Sequence, residues 1–242
     1  MNGVTWFGHS CAVIEVDDTR LATDPVLCRR VAHLRREAGI PASALGRLDA
    51  VLVSHVHLDH LHTASLRDFD RTLPVVVPRG AGSILRRRGF REVLEVAPGE
   101  SVVLGNVRLD VTHAEHGTVR RYVRAVSPAL GFVVRGSYDV YFAGDTDIFW
   151  RMQELRPLDV ALLPVGGWGP RLPPGHLDPE RAAQALTLLE PHTAVPIHWG
   201  TYAPSRSSPP DDGPAGAFRD AAARLAPSVR IVTLGIGESL EL

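Results

Sequence analysis

The stretch LVSHVHLDHLH, residues 52 to 62, sets His55, His57, Asp59 and His60 within six positions, directly behind a run of apolar β-formers. Burying that much polarity without a partner is costly, so the cluster points to a cation. In an extended segment residues i and i+2 face the same way, and His55 and His57 can offer two nitrogens to one ion. Asp59 and His60, where the chain turns into the next element, project from another angle and can hold a second ion close by. Two ions about 3.5–4 Å apart form a hydrolytic centre that clamps both nucleophile and leaving oxygen. A structural zinc site would favour four closed ligands, often cysteines. The chain has only Cys11 and Cys28.

Further donors stand at suitable places. THAEHG offers His113 and His116, FAGDTD offers Asp145 behind one apolar strand, and VPIHWG offers His198 behind another. Open α/β sheets collect ligands at the carboxyl ends of their strands, so these distant residues can converge. Asp145 has the two oxygens needed to bridge a metal pair. His176, in GHLDPERA, precedes an N-capping Asp178 and Pro179 at the first helical position. His9, in GHS, reads as a packing or supporting histidine rather than a ligand. His33, His62 and His192 sit in polar or loop contexts and receive no role.

The elements that must position these groups alternate in kind. VTWFGHSCAVIEV and RLATDP read as short strands, with Asp-Pro marking a turn. The basic segment VLCRRVAHLRREAGIPASALGRL reads as a loop with a helical turn or two, and DAVLVS as a strand buried in a central sheet. TASLRDF starts a helix, LPVVVP is a strand, GSILRRRGF a helix and EVLEV a strand. Two hairpins follow, turning at Gly105-Asn106 and Gly136-Ser137. Strand DVALLPVG, helix DPERAAQALTLLE, strand TAVPIHWG, helix GAFRDAAARLA and strand VRIVTLG complete the chain. Residues 203 to 217, rich in Pro, Ser, Gly and Asp, read as a long flexible loop close behind His198. A layered α/β architecture in two halves is expected, as one domain spanning residues 1–242.

Composition narrows the function. The 242 residues carry 27 acids against 26 bases, which gives no reason to expect nucleic acid or an anionic membrane as partner. All the bases are arginine, a feature that coding bias explains. Two cysteines are too few for a disulfide framework and suit a reducing cytoplasm. The amino terminus lacks the basic and apolar regions of a signal peptide, and no apolar run approaches a membrane span. The expectation is a cytoplasmic protein acting on a small molecule, compatible with a homo-oligomer.

HVHLDH with the later His116, Asp145 and His198 resembles the metallo-β-lactamase fold superfamily, across nearly the whole chain. WFGHSCAVIEVDDTRLATDP, LDAVLVSHVHLDHL, FAGDTD, LDVALLPVGGWGPR, GHLDPERA and IHWGTYA are most similar to the branch of N-acylphosphatidylethanolamine-hydrolysing phospholipase D and the ascorbate-6-phosphate lactonase-like proteins. The resemblance implies an αββα four-layer sandwich, two mixed β-sheets with helices outside. It implies two Zn²⁺, with Mn²⁺ or Fe²⁺ as alternatives: His55, His57 and His116 on one ion, Asp59, His60 and His198 on the other, Asp145 between them. It chooses His116 over His113, which then supports the site or competes for the metal. A hydroxide between the ions would attack a phosphodiester of a soluble small molecule, with Asp59 orienting it and His176 lining the pocket or protonating the leaving group. Lactone or carboxylic ester hydrolysis is the nearest alternative, ahead of a di-iron redox protein or a non-catalytic metal-binding module. Trp168 and Arg171 would form a pocket wall with an anion clamp, and Arg120, Arg121 and Arg124 could meet a phosphate.

Overall fold

The computed structural model describes residues 2–37, 39–116, 127–167, 172–204 and 213–242. In the first half, β1 (Gly3–Trp6), β2 (Ala12–Val16) and β3 (Thr19–Thr23) form a meander. A small hairpin of β4 (Arg30–Val31) and β5 (Leu34–Arg35) follows, then β6 (Ala50–Leu52), β7 (Val75–Pro78), α1 (Gly82–Arg86) and β8 (Val93–Val96). In the second half come β9 (Ser101–Leu104), β10 (Val107–His113), β11 (Leu130–Arg135), β12 (Val140–Phe142), β13 (Val160–Pro164), α2 (Pro179–Leu189) and β14 (Thr193–Ile197). The chain ends with β15 (Ala203–Pro204), α3 (Gly213–Leu225), β16 (Arg230–Ile231) and β17 (Ser239–Glu241).

Two seven-stranded sheets result, in the orders β17-β1-β2-β3-β6-β7-β8 and β9-β10-β11-β12-β13-β14-β16. Both are mixed. The first four strands of each pair antiparallel, and the fourth to seventh pair parallel.

Alternation along the strands builds three apolar layers. Val4, Trp6, Ile14, Leu21, Leu52 and Val76 from the first sheet meet Leu109, Phe132, Phe142, Leu162 and Ile197 from the second, forming the layer between the sheets. The opposite side chains of the first sheet, including Val13, Val51, Val53 and Val75, pack against Leu66, Phe69, Leu85 and Phe90 outside it. Those of the second, including Val133, Tyr141 and Leu163, pack against α2 and α3 through Leu186, Leu189 and Phe218. Burying one such side chain contributes about 1.5–3 kcal/mol, and the central strands, buried along their length, are held from both faces. This is the αββα sandwich, with a thinner helical layer on the first sheet.

α2 begins as the sequence predicts: Asp178 caps it, its carboxylate accepting from Arg181 N at 2.8 Å, with Pro179 in the first turn. Both predicted hairpin turns form, β9 to β10 across Gly105-Asn106 and β11 to β12 around Gly136-Ser137. Other elements differ. The basic segment predicted as a loop with a helical turn or two has its turn, a 3₁₀ turn at Ala42–Leu45, and differs in also making β4 and β5. TASLRDF gives a single 3₁₀ turn, Ser65–Asp68, because Phe69 is already extended and ends it. Of the expected loop at 203–217, Ala203–Pro204 pairs with β5, residues 205–212 lie outside the described residues, and the last helix starts at Gly213, where Ala215 and Phe218 find buried positions. VRIVTLG pairs only at Arg230–Ile231, and β17, which pairs with β1, has no counterpart in the sequence reading.

Candidate metal centre

Each candidate donor leaves a strand at its carboxyl end. β6 is wholly buried and lies between β3 and β7, with Asp24 N on Leu52 O and Val53 N on Val76 O at 2.8 and 2.9 Å. The chain then turns, with His60 N and Leu61 N both on His57 O, and this turn swings Asp59 and His60 away from His55 and His57. His116 follows β10, Asp145 follows β12 and His198 follows β14. Gly144 allows Asp145 its place: a Cβ there would meet Leu130 O and Ser54 Cβ at 2.7 Å, and its φ is 61°.

The donors gather into two adjacent sets. His55, His57, His116 and Asp145 bring ligand atoms within 4.8 Å of one another, and His9, Asp59, His60 and His198 do the same. In the first set His55 Nε2 lies 2.7 Å from His57 Nδ1, which lies 3.2 Å from His116 Nε2. Asp145 also reaches the second set, with Oδ2 at 3.2 Å from His60 Nε2 and Oδ1 at 3.3 Å from His198 Nε2.

Hydrogen bonds on the far side of the rings set the tautomers. His116 Nδ1 faces Gly175 O and His198 Nδ1 faces Gly166 O, both at 2.8 Å. A carbonyl only accepts, so each Nδ1 carries the proton and each Nε2 turns a lone pair inward, as a metal ligand requires. His60 Nδ1 lies 2.7 Å from Asp24 Oδ2, and Ser54 donates to the same carboxylate from its backbone N at 2.7 Å and its hydroxyl at 2.5 Å.

The site fits a cation by a second test. Among the buried side-chain atoms without a hydrogen-bond partner are His60 Nε2, Asp145 Oδ1 and His198 Nε2, all directed into this centre. A buried polar atom left unpaired costs about 1–3 kcal/mol, and three in one spot are explained together by a positive ion.

Electrostatics prepares the ligands with one exception, His60, which Asp145 and Asp24 raise well above the usual histidine range despite its burial. Burial, followed by the neighbouring His60, holds His55 well below the usual histidine range, and burial with His116 lowers His57 to about 4. Burial also lowers His116 and His198. Burial opposes ionisation of Asp145, yet His198 and His60 outweigh it and hold the carboxyl well below its ordinary range. Asp59 follows the same logic: burial opposes its ionisation, and the His9 hydrogen bond together with His60, His9 and His198 outweighs it. Neutral imidazoles and charged carboxylates are the forms that bind metal.

The sequence matches the beta-lactamase superfamily domain over residues 19–199. The chain belongs to the metallo-β-lactamase superfamily. A metal-dependent hydrolase of Opitutus terrae is 32% identical over 213 residues, covering 85% of this chain and 88% of that protein. An uncharacterized protein of Mycobacterium tuberculosis is 31% identical over 82% of this chain, which spans 59% of that relative's length. The solved structure of a metallo hydrolase from Ignicoccus hospitalis superposes with a TM-score of 0.75 at 27% identity, covering 98% of this chain and 97% of the other. The metallo-β-lactamase fold thus accounts for the two sheets and for donors at their carboxyl ends.

Several sequence-predicted residues can now be placed. His55, His57, Asp59, His60, His116, Asp145 and His198 lie together. His113 does not: it is exposed, pairs with Glu115 Oε2 at 3.1 Å and packs edge-on against Phe149. His176 lies beside the centre, Nε2 at 3.4 Å from Asp145 Oδ2 and its ring 4.6 Å from that of His116. Burial lowers its proton affinity, but the hydrogen bond to Asp145, the charge of that carboxylate and the Pro173 carbonyl together raise its pKa. Trp168, Arg171, Arg120, Arg121 and Arg124 lie outside the described residues. Sequence reasoning missed Asp24: it stands directly behind a strand as Asp145 does, but that strand, Thr19–Thr23, is not an apolar run. Among the described residues no helix is long and apolar enough to cross a membrane.

Proposed function

We propose that this protein is a hydrolase holding two divalent cations, most simply Zn²⁺, that cleaves a phosphodiester of a soluble small molecule. The observation that carries the reading is the pair of adjacent donor sets with Asp145 reaching both. His55, His57 and His116 would hold one ion, Asp59, His60 and His198 the other, and Asp145 both. Nitrogen-rich sets with few carboxylates suit zinc, and the same donors accept Mn²⁺ or Fe²⁺. The relatives named metal-dependent hydrolases support the reaction class.

When bound, such a pair lowers the pKa of water and stabilises negative charge developing on oxygen. The protein's own groups supply the remainder. Asp59, ionised at neutral pH, accepts the proton of the attacking water. His176 Nε2, beside Asp145, delivers a proton to the departing alkoxide oxygen. Gly175 O and Gly166 O keep His116 and His198 turned inward throughout.

Turnover of zinc- and manganese-loaded protein on matched phosphodiester and lactone panels tests this, with Asp145→Asn as control. Phosphodiester hydrolysis abolished by the substitution is expected. Lactone turnover alone would move the reaction to the carboxylic ester side of the same site, and visible iron colour with no hydrolysis would overturn the proposal.

A further inference from the structure

His9 reaches the centre from the turn between β1 and β2, far in sequence from the other donors. Its backbone is left-handed, φ 54°, which is uncommon and strained for a residue with a side chain. Three tethers hold it there. His9 N donates to Thr201 Oγ1 at 2.7 Å, and its carbonyl accepts from His198 N and from Trp6 Nε1, both at 2.9 Å. Arg36, buried beneath, donates to Phe7 O at 3.0 Å, and Gly8 has no room for a Cβ against Arg36 and Thr201. The ring that results is 2% exposed, with Nε2 3.3 Å from Asp59 Oδ2 and its centroid 4.0 Å from that of His198.

One contrast separates His9 from its neighbours. His60 and His198 have their outward Nδ1 engaged and their inward Nε2 without a hydrogen-bond partner, the pattern of a ligand. In His9 the inward Nε2 is itself taken up by a carboxylate. We infer that His9 is the positioning residue of the second metal position, its Nε2–H holding Asp59 toward His60 and His198 while its carbonyl seats the His198 backbone. A ring needed only for packing would not demand a strained, triply tethered backbone aimed at a carboxylate. This rests on the dinuclear reading above.

The test is zinc titration of the metal-stripped full chain against a competing chelator, with thermal melting as folding control. Wild type takes up two equivalents. His9→Ala should weaken one of them by about 10–100-fold and leave the other unchanged, while His9→Gln, which keeps an N–H donor, should return to within about threefold of wild type. His9→Asn, tolerant of the left-handed backbone but too short to reach Asp59, should match the alanine variant even where alanine folds poorly. Two tight equivalents in both His9→Ala and His9→Asn overturn the inference, as does a glutamine variant no better than alanine. A wild type that binds a single ion overturns the dinuclear reading itself, and this inference with it, before any substitution is made.

Discussion

The two sheets follow one plan and use it differently. In each, the fourth strand is where antiparallel pairing gives way to parallel, β3 in the first sheet and β12 in the second. Behind each stands an aspartate, Asp24 and Asp145, and the two carboxylates close on opposite nitrogens of one ring, His60 Nδ1 at 2.7 Å and Nε2 at 3.2 Å. Asp24 is saturated by Ser54 N, Ser54 Oγ and His60. Asp145 keeps Oδ1 without a hydrogen-bond partner. Equivalent positions therefore carry an anchor in one half and a carboxylate with an unengaged oxygen in the other, and what separates them is the neighbouring donors rather than the residue type.

The substitution that breaks the open side should have the largest effect. Asp145→Ala is expected to reduce bound metal below two ions per chain and turnover by on the order of 100-fold or more, read by elemental analysis and steady-state kinetics. An unchanged count of two would defeat the shared role. Asp24→Ala attacks the anchor instead and should lower stability of the metal-free protein by about 3–5 kcal/mol in urea unfolding, because it strands His60 and Ser54 in the core. Asp24→Asn, still an acceptor for Ser54 N, should cost less; equal losses would deny the anchor its charge.

Acid should sharpen the contrast further. Burial holds His9 and His57 at about 4 against an ordinary 6.5, so between those values the unfolded chain binds protons that the folded one refuses. Stability of the metal-free protein is then lost as pH falls from 6.5 toward 4. His60 works in the opposite sense: despite burial, Asp145 and Asp24 raise it, and its contribution is complete below 6.5 and lost only as pH rises through its folded value. Lowered histidines outnumber raised ones, so Tm should fall on acidification; a Tm that rises would assign control to the His60 bridge. The smallest change is expected at His113→Ala, with metal content at wild-type level and stability within about 0.5 kcal/mol, since its ring is on the surface.

Much of the centre was legible because its densest part is local. Four donors within six residues behind a buried strand need no tertiary knowledge, and strand ends mark the others. Asp24 was read as a turn marker before Pro25, and only the packing of β3 beside β6 shows its carboxylate under His60. The sequence leaves His9 as a packing or supporting histidine, because its contact with Asp59 spans 50 positions and follows no periodicity. In the fold, long apolar or alternating segments were legible. β4, β5, β15 and β17 were not: β4 and β5 form a hairpin of two-residue strands with no apolar run to mark it, and β15 and β17 exist only by pairing with distant partners.

The bond from His198 N to His9 O, together with the pairing of Leu240 with Val4, also sets a timetable. During synthesis the cluster at residues 55–60 emerges long before either partner that completes it. Until β14 and β17 arrive, the first sheet lacks its outer strand and the His9 turn lacks the amide that seats it. The second donor set therefore closes late, and a ribosome-bound chain halted before residue 198 would carry His55, His57, His116 and Asp145 without the His198 that completes the neighbouring set.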